Sequence, residues 1–125
     1  MSKSGAWVDQ QAFTASLFKD GWGTPNTYCN QFRPLITGPA VYMLLLVKTE
    51  TYREAMVTYV GMSEKLKQRI SNHNILPELD RPGYWAMVWF KPTPKQELRD
   101  AEASLISAYD PPWNIQGRRR GMVLQ

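Results

Sequence analysis

The hydrophobic pattern is strongest between Gly38 and Gly61. A near-continuous apolar run from Val41 to Val47 is followed by a second from Ala55 to Val60, with polar residues between the two runs. Apolar runs of this length, separated by polar residues, are typical of buried strands joined by a turn. We therefore predict a β-hairpin whose connection spans Lys48 to Glu54.

One further strand and an N-terminal helix are predicted on either side of this hairpin. Tyr84 to Phe90 alternates and is rich in aromatic residues, which favours a third strand in the same sheet. Apolar residues recur at helical spacing from Trp7 to Phe18, and this helix should end near Gly21. Residues up to Ile36 are interpreted as an added lid or brace.

A helix is predicted directly after the hairpin, with an unusual mixture of residues on one face. Ser63 is a good N-cap and Glu64 a favourable first-turn charge, so the helix should run to about Asn74. Its apolar stripe would be Met62, Leu66 and Ile70. At 100° per residue, about 3.6 residues per turn, Arg69 and His73 fall inside the same stripe, and Lys65 lies beside them.

The last predicted helix also carries an ionisable group on its inward face. Thr93 and Pro94 favour its start, Gln96 completes a capping box, and the prolines at 111 and 112 end it. The inward face comprises Leu98, Leu105, Ile106 and Tyr109, with Glu102 among them. Burying an unpaired carboxylate is costly, so a partner, a metal ion or a solvent-filled cleft is expected. A salt bridge from Glu102 to Arg69 or His73 explains the pattern as well as an active site does.

Composition narrows the function classes only modestly. The 125 residues suit one domain, and Cys29 is the only cysteine, so one copy can form neither a disulfide nor a cysteine-rich metal site. No apolar run reaches the length of a membrane span and no signal-peptide core begins the chain, so a cytoplasmic protein is expected. The net charge of +4 favours polyanionic partners.

The hairpin should bring two phenols together. Tyr42 lies near the start of the first strand and Tyr59 near the end of the second, and these ends are adjacent in an antiparallel pair. Gly61 beside them would let a ligand approach the backbone. Either tyrosine alone would more often be a half-buried strand aromatic, so their significance depends on the residues around them.

Taken together, these residues resemble the GIY-YIG nuclease family. The resemblance covers about Pro39 to Gln116, and its order and approximate spacings match at Tyr42, Tyr59, Gly61, Arg69, His73, Glu102 and Asn114. One departure is Ala40, where the family usually has glycine. A small residue there still permits close packing.

The resemblance implies an α+β fold with a small central three-stranded antiparallel sheet flanked by helices. It also implies a DNA endonuclease that hydrolyses phosphodiester bonds with one divalent cation. Glu102 would bind Mg²⁺ or Mn²⁺, and Arg69 would neutralise charge on the scissile phosphate. Tyr42 and Tyr59 would position or deprotonate the attacking water, with Tyr42 favoured over Tyr59 as the base. His73 would assist proton transfer or orient a tyrosine, and Asn114 would hold the site together.

The expected organisation is an N-terminal extension over 1–36, a catalytic domain over 37–117 and a basic tail over 118–125. Lys65 and Arg69 would contact nucleic acid, as would the tail residues Arg118, Arg119 and Arg120, although a basic terminus is as often a solvated tail. No zinc-finger or helix-turn-helix segment is evident, which favours weakly sequence-specific or structure-selective cleavage, with a homodimer or a recruiting protein as further sources of specificity. The alternatives are a non-catalytic nucleic-acid-binding module of the same fold and a structural α/β protein with a buried ion pair.

Overall fold

The computed structural model describes residues 7–23, 26–27, 38–71, 79 and 82–114. Over these residues the protein is an α+β structure built on one antiparallel sheet. The strands are β1 (Val8–Asp9), β2 (Asn26–Thr27), β3 (Ala40–Lys48), β4 (Glu54–Ser63) and β5 (Tyr84–Pro92). The helices are α1 (Gln10–Lys19), α2 (Leu66–Ser71) and α3 (Leu98–Tyr109), with 3-10 turns at Lys95–Glu97 and Pro112–Asn114. None of the helices in these ranges has the length and hydrophobicity needed to cross a bilayer.

The sheet has the order β1-β4-β3-β5-β2. The three long strands are those predicted from the sequence. The hairpin connection covers residues 49–53, one residue shorter at each end than predicted, because Lys48 and Glu54 belong to the strands. The prediction of three strands was nevertheless too few, because β1 pairs with the outer edge of β4 and β2 with the outer edge of β5. Each added strand is only two residues long, too short for an alternating pattern to be recognised in a sequence.

The two faces of the sheet are both buried, which explains why β3 is apolar without alternation. One face, here called the tyrosine face, carries Ala40, Tyr42, Leu44 and Leu46 and is covered by Leu66, Leu79 and Trp113. The opposite face, here called the helix face, carries Val41, Met43, Leu45 and Val47 and is covered by Leu17 of α1 and Leu98 of α3.

Helix α1 begins three residues later than its hydrophobic spacing suggests. Val8 and Asp9 are extended because they pair with Ala55 and Glu54 of β4. The Asp9 carboxylate then accepts a 2.9 Å hydrogen bond from the Ala12 N–H, an N-cap that the spacing argument overlooked. The N-terminal segment is thus tied to the edge of the central sheet.

Two details of the predicted helix starts are wrong. The strand β4 continues through Ser63, so Met62 packs on the helix face whereas Leu66 packs on the tyrosine face; they do not form one stripe. Before α3 the Thr93 hydroxyl donates to the Lys91 carbonyl, and the cap position, Pro94, makes no side-chain cap hydrogen bond. A 3-10 turn, Lys95–Glu97, replaces the predicted capping box.

Candidate active site

A β-bulge places Tyr59 on the same face of the sheet as Tyr42. Strand pairing matches Leu44 with Tyr59 but Leu45 with Val57, so Thr58 is the extra residue of β4. Strict alternation from Val57 would have turned Tyr59 towards the helix face. The bulge reverses this, and the two phenol rings lie 6.2 Å apart between centroids, tilted by 37°.

Gly61 makes room for the Tyr42 ring. The two residues are opposite one another in the β3–β4 pair, and a Cβ at Gly61 would lie 2.4 Å from both Cζ and Oη of Tyr42. No side chain fits at that distance without moving the ring. The glycine is required here for close approach, but the Tyr42 ring occupies the space that the sequence analysis assigned to a ligand.

Tyr42 is an almost completely buried phenol, with 1 % of its surface exposed. Burial raises its pKa well above the ordinary tyrosine value, and the neighbouring Tyr59 and the negative charge of Glu102 raise it further. Arg69 opposes this shift through its charge and through a hydrogen bond that its guanidinium donates to the phenol. At neutral pH Tyr42 is therefore a neutral hydroxyl group held by a cation.

Glu102 lies on α3, half-buried rather than fully inward-facing. Partial burial raises the pKa of its carboxyl, and the charge of Arg99 one turn away lowers it to a smaller extent. Within the described ranges the ion pairs are Lys48–Glu54 and Lys95–Glu64, so the predicted salt bridge from Glu102 to Arg69 is not formed. The carboxylate is close enough to raise the pKa of Tyr42 through its charge, and no arginine among the described residues forms a salt bridge with it.

Asn114 fastens the segment after α3 to the outer edge of β4. Its side-chain Oδ1 accepts a 2.7 Å hydrogen bond from the Val60 N–H, and its Nδ2 donates a 2.7 Å hydrogen bond to the Val60 carbonyl. The amide thus pairs with Val60 as a neighbouring strand would. Because Val60 lies between Tyr59 and Gly61, this clamp fixes the backbone that carries both.

An open hollow of about 460 Å³ lies at the end of β4 and the start of α2. Its lining comprises Ser63, Glu64, Lys65, Gln68 and Arg69. Glu64 forms an exposed ion pair with Lys95 at 3.4 Å, so the acidic side chain of the hollow has a cation of its own. Arg69 lines this hollow and also donates a hydrogen bond to the Tyr42 phenol, so it connects the hollow with the two tyrosines.

The structure thus brings Tyr42, Tyr59, Gly61 and Arg69 together, with Glu102 within electrostatic reach. His73, Arg118, Arg119 and Arg120 lie outside the described residues, as do Cys29 and the parts of the predicted lid at 1–6, 24–25 and 28–36. Sequence reasoning missed Gln68 as a lining residue and Thr58 as the source of the tyrosine geometry. The signal that could have revealed Gln68 is its position directly before Arg69. Thr58 gives no such signal, because a bulge does not change the hydrophobic spacing within an apolar run.

No cluster of three or more histidine, cysteine, aspartate or glutamate residues that could hold a metal ion occurs in the described part of the chain. A fully protein-ligated metal cage is therefore not formed by those residues. A hydrated ion held by one carboxylate needs no such cluster, because Mg²⁺ usually keeps several waters.

Comparison of the chain with protein-family models, with curated proteins and with solved structures found no match.

Proposed function

We propose that this protein is a metal-dependent DNA endonuclease of the GIY-YIG type, acting with one Mg²⁺ or Mn²⁺ ion and with weak sequence specificity or structure selectivity. The observation that carries the proposal is the arrangement around Tyr42. A buried neutral phenol packs beside Tyr59, accepts a hydrogen bond from Arg69 and feels the charge of Glu102.

The donor set fits one hydrated hard cation. Glu102 supplies a half-buried carboxylate that no described residue engages in a hydrogen bond or salt bridge, and its partial burial leaves one side open to solvent. Glu102 would hold the ion. A bound Mg²⁺ supplies charge neutralisation for the leaving oxygen of the phosphodiester.

The remaining residues have separate tasks in the hydrolysis. Water attacks phosphorus, and the P–O bond to the leaving oxygen breaks in line with the attack. Arg69 neutralises the non-bridging oxygens at the place where its guanidinium meets the hollow. Burial raises the pKa of Tyr42, so this phenol stays protonated at neutral pH and orients groups through its hydroxyl instead of acting as the base favoured from the sequence. Tyr59, which is less buried, is the better placed of the two to position the attacking water. His73 is proposed to assist proton transfer.

Lys65 and Arg69 give the hollow two cations that can bind the DNA backbone. The tail arginines at 118–120 are proposed to make further contacts with backbone phosphates. The chain's net charge of +4 supports a polyanionic ligand. The non-catalytic alternative, a binding module of the same fold, shares these features but gives Glu102 no role.

A plasmid-nicking assay separates the two functions. Supercoiled plasmid is incubated with the wild-type protein in Mg²⁺, Mn²⁺ or EDTA, beside Glu102→Ala and the exposed control Glu97→Ala. We expect nicking that needs a divalent ion, falls by at least about 100-fold in Glu102→Ala and persists in Glu97→Ala. DNA binding without cleavage under every metal would establish the binding module instead.

A further inference from the structure

A pair of exposed aromatic residues lies at the tip of the β3–β4 hairpin. Tyr52 in the turn is 53 % exposed and Trp85 at the start of β5 is 43 % exposed. Their rings meet edge to face, with centroids 5.6 Å apart and planes at 77°. Tyr42 and Lys48 are six residues apart on β3, so this pair lies about 20 Å along the strand from Tyr42. It shares no residue with the hollow.

The backbone at Tyr52 is in a conformation that disfavours a large side chain. Its φ is +55°, in the left-handed region, and its N–H donates a 2.8 Å hydrogen bond to the Lys48 carbonyl. Glycine or asparagine would make the same turn with less strain. Turn geometry alone therefore does not account for tyrosine here, and strained residues of this kind cluster at functional sites.

The size of the exposed surface indicates what can bind there. Half-exposed tyrosine and tryptophan rings each present on the order of 100 Å², whereas a standard protein–protein interface buries roughly 800 Å² on each partner. The two rings by themselves supply only about a quarter of the surface that a second copy of the chain or another folded protein would need. The pair is large enough for one flat heteroaromatic ring, and every nucleobase has such a face.

Charge near the pair is compatible with a phosphate-bearing ligand. Arg53 follows Tyr52, is exposed, and forms no ion pair with any residue that the structure describes. Glu50 in the same turn offsets part of this charge, so stacking rather than local charge selects the ligand. The net charge of +4 on the whole chain favours nucleic acid over a neutral aromatic compound.

We propose that Tyr52 and Trp85 form a stacking site for an unpaired base of single-stranded DNA, with Arg53 contacting the adjacent phosphate. This extends the proposed function, since the ligand class is the same, but it uses a second surface at the opposite end of the sheet. A substrate held at both places would carry an unpaired segment beside the cleaved bond, which makes the protein selective for frayed or branched DNA.

The test measures binding of a short single-stranded oligodeoxynucleotide containing 2-aminopurine, whose fluorescence is quenched on stacking. EDTA is present throughout, so binding is measured apart from cleavage. We expect Trp85→Ala to weaken binding by about tenfold and to abolish the quenching, as loss of one stacked base contact does in other proteins. Phe18→Ala is the matched control, because Phe18 is 52 % exposed and packs edge to face on Trp89 instead.

A second variant distinguishes loss of the stacking site from misfolding. Tyr52→Gly removes the ring and relieves the left-handed backbone, so the fold should be retained, as circular dichroism and melting would verify. We expect it to weaken single-strand binding by a similar factor while leaving the affinity for the matching blunt duplex unchanged.

Three outcomes would overturn the proposal: no affinity of the wild-type protein for the oligonucleotide, unchanged binding in both ring-removal variants, or equal losses for single strand and duplex. Glu102→Ala distinguishes this site from the nuclease. It should lose cleavage and keep the quenching, and a protein without nuclease activity would still show the stacking.

Discussion

The Thr58 hydroxyl donates a 2.7 Å hydrogen bond to the main-chain carbonyl of Leu44 on the neighbouring strand. Thr58 is fully buried and is the residue left over by the register shift between the two strands. Its side chain thus satisfies a polar backbone group at the bulge, where regular pairing is interrupted. The same bulge turns Tyr59 towards Tyr42, so this hydrogen bond supports the geometry of the candidate site.

Thr58→Val should therefore destabilise the protein although it preserves the shape of the side chain. The substitution leaves the Leu44 carbonyl buried without the hydroxyl partner, at a cost of about 1–3 kcal/mol in the free energy of unfolding. Urea denaturation measures this. Thr51→Val is the control, because the Thr51 hydroxyl accepts an exposed hydrogen bond from the Arg53 N–H and its loss should cost under about 0.5 kcal/mol. Equal midpoints for the two variants would contradict the role given to the bulge.

Gly61→Ala should disturb Tyr42 more than any other part of the molecule. The added methyl group would lie 2.4 Å from the phenol, so the ring must move out of a buried position. We expect a loss of about 1–3 kcal/mol from overpacking together with loss of activity at temperatures where the variant is still folded. Gly38→Ala is the matched control, since a Cβ there meets nothing within 4 Å. Normal nicking by Gly61→Ala would show that activity does not depend on the position of the Tyr42 ring.

The long strands and their pairing were predictable because their signal is local. Val41 to Val47 is an uninterrupted apolar run, and the polar turn after it fixes the hairpin. The convergence of Tyr42 and Tyr59 was also predicted, but for an incomplete reason. The antiparallel hairpin places both tyrosines at the same end of the sheet. Whether they also share one face of the sheet depends on the bulge at Thr58.

What could not be predicted depends on contacts between distant residues. Val8 and Asp9 fit a helical pattern, yet pairing with Ala55 and Glu54 makes them a strand. Asn114 alone is an ordinary turn residue, and only the folded chain brings its amide to Val60, 54 positions earlier. Spacing placed Glu102 on an inward face, whereas the structure leaves it half-buried on α3, where its charge still raises the pKa of Tyr42.

Asn114→Asp should weaken the clamp on β4 in a pH-dependent way. The carboxylate still accepts from the Val60 N–H, but its second oxygen would face the Val60 carbonyl at the position where Nδ2 now donates at 2.7 Å. We expect a loss of about 1–3 kcal/mol at neutral pH. Protonation of the aspartate restores a donor, so the loss should shrink as the pH falls towards the ordinary aspartate pKa of about 4 and be smallest below it. Hydrogen exchange at the Val60 amide reports the clamp directly, and an unchanged exchange rate in Asn114→Ala would exclude it.

Tyr42→Phe should change how stability depends on alkaline pH. Burial raises the pKa of Tyr42 above its ordinary value of 10.0, so the unfolded chain loses this proton before the folded one does. The stability linked to the neutral phenol is therefore complete below pH 10 and declines as the pH rises above it. The wild-type protein should lose stability above pH 10 more steeply than Tyr42→Phe in urea titrations. Parallel curves would mean that the phenol ionises equally in both states.

Glu102→Gln should stabilise the metal-free protein slightly at neutral pH. Partial burial raises the pKa of Glu102 above its ordinary value of 4.5, so the ionised carboxylate disfavours the folded state, by less than about 1 kcal/mol because the group is partly exposed. This penalty is absent below the ordinary pKa of glutamate and complete above the raised pKa of the folded state. The stabilisation by Glu102→Gln should therefore disappear in acid. Mg²⁺ should raise the Tm of the wild-type protein and of Glu97→Gln, which retains the site, but not of Glu102→Gln. A structural carboxylate predicts the opposite sign, since removing it would lower the Tm in the absence of metal.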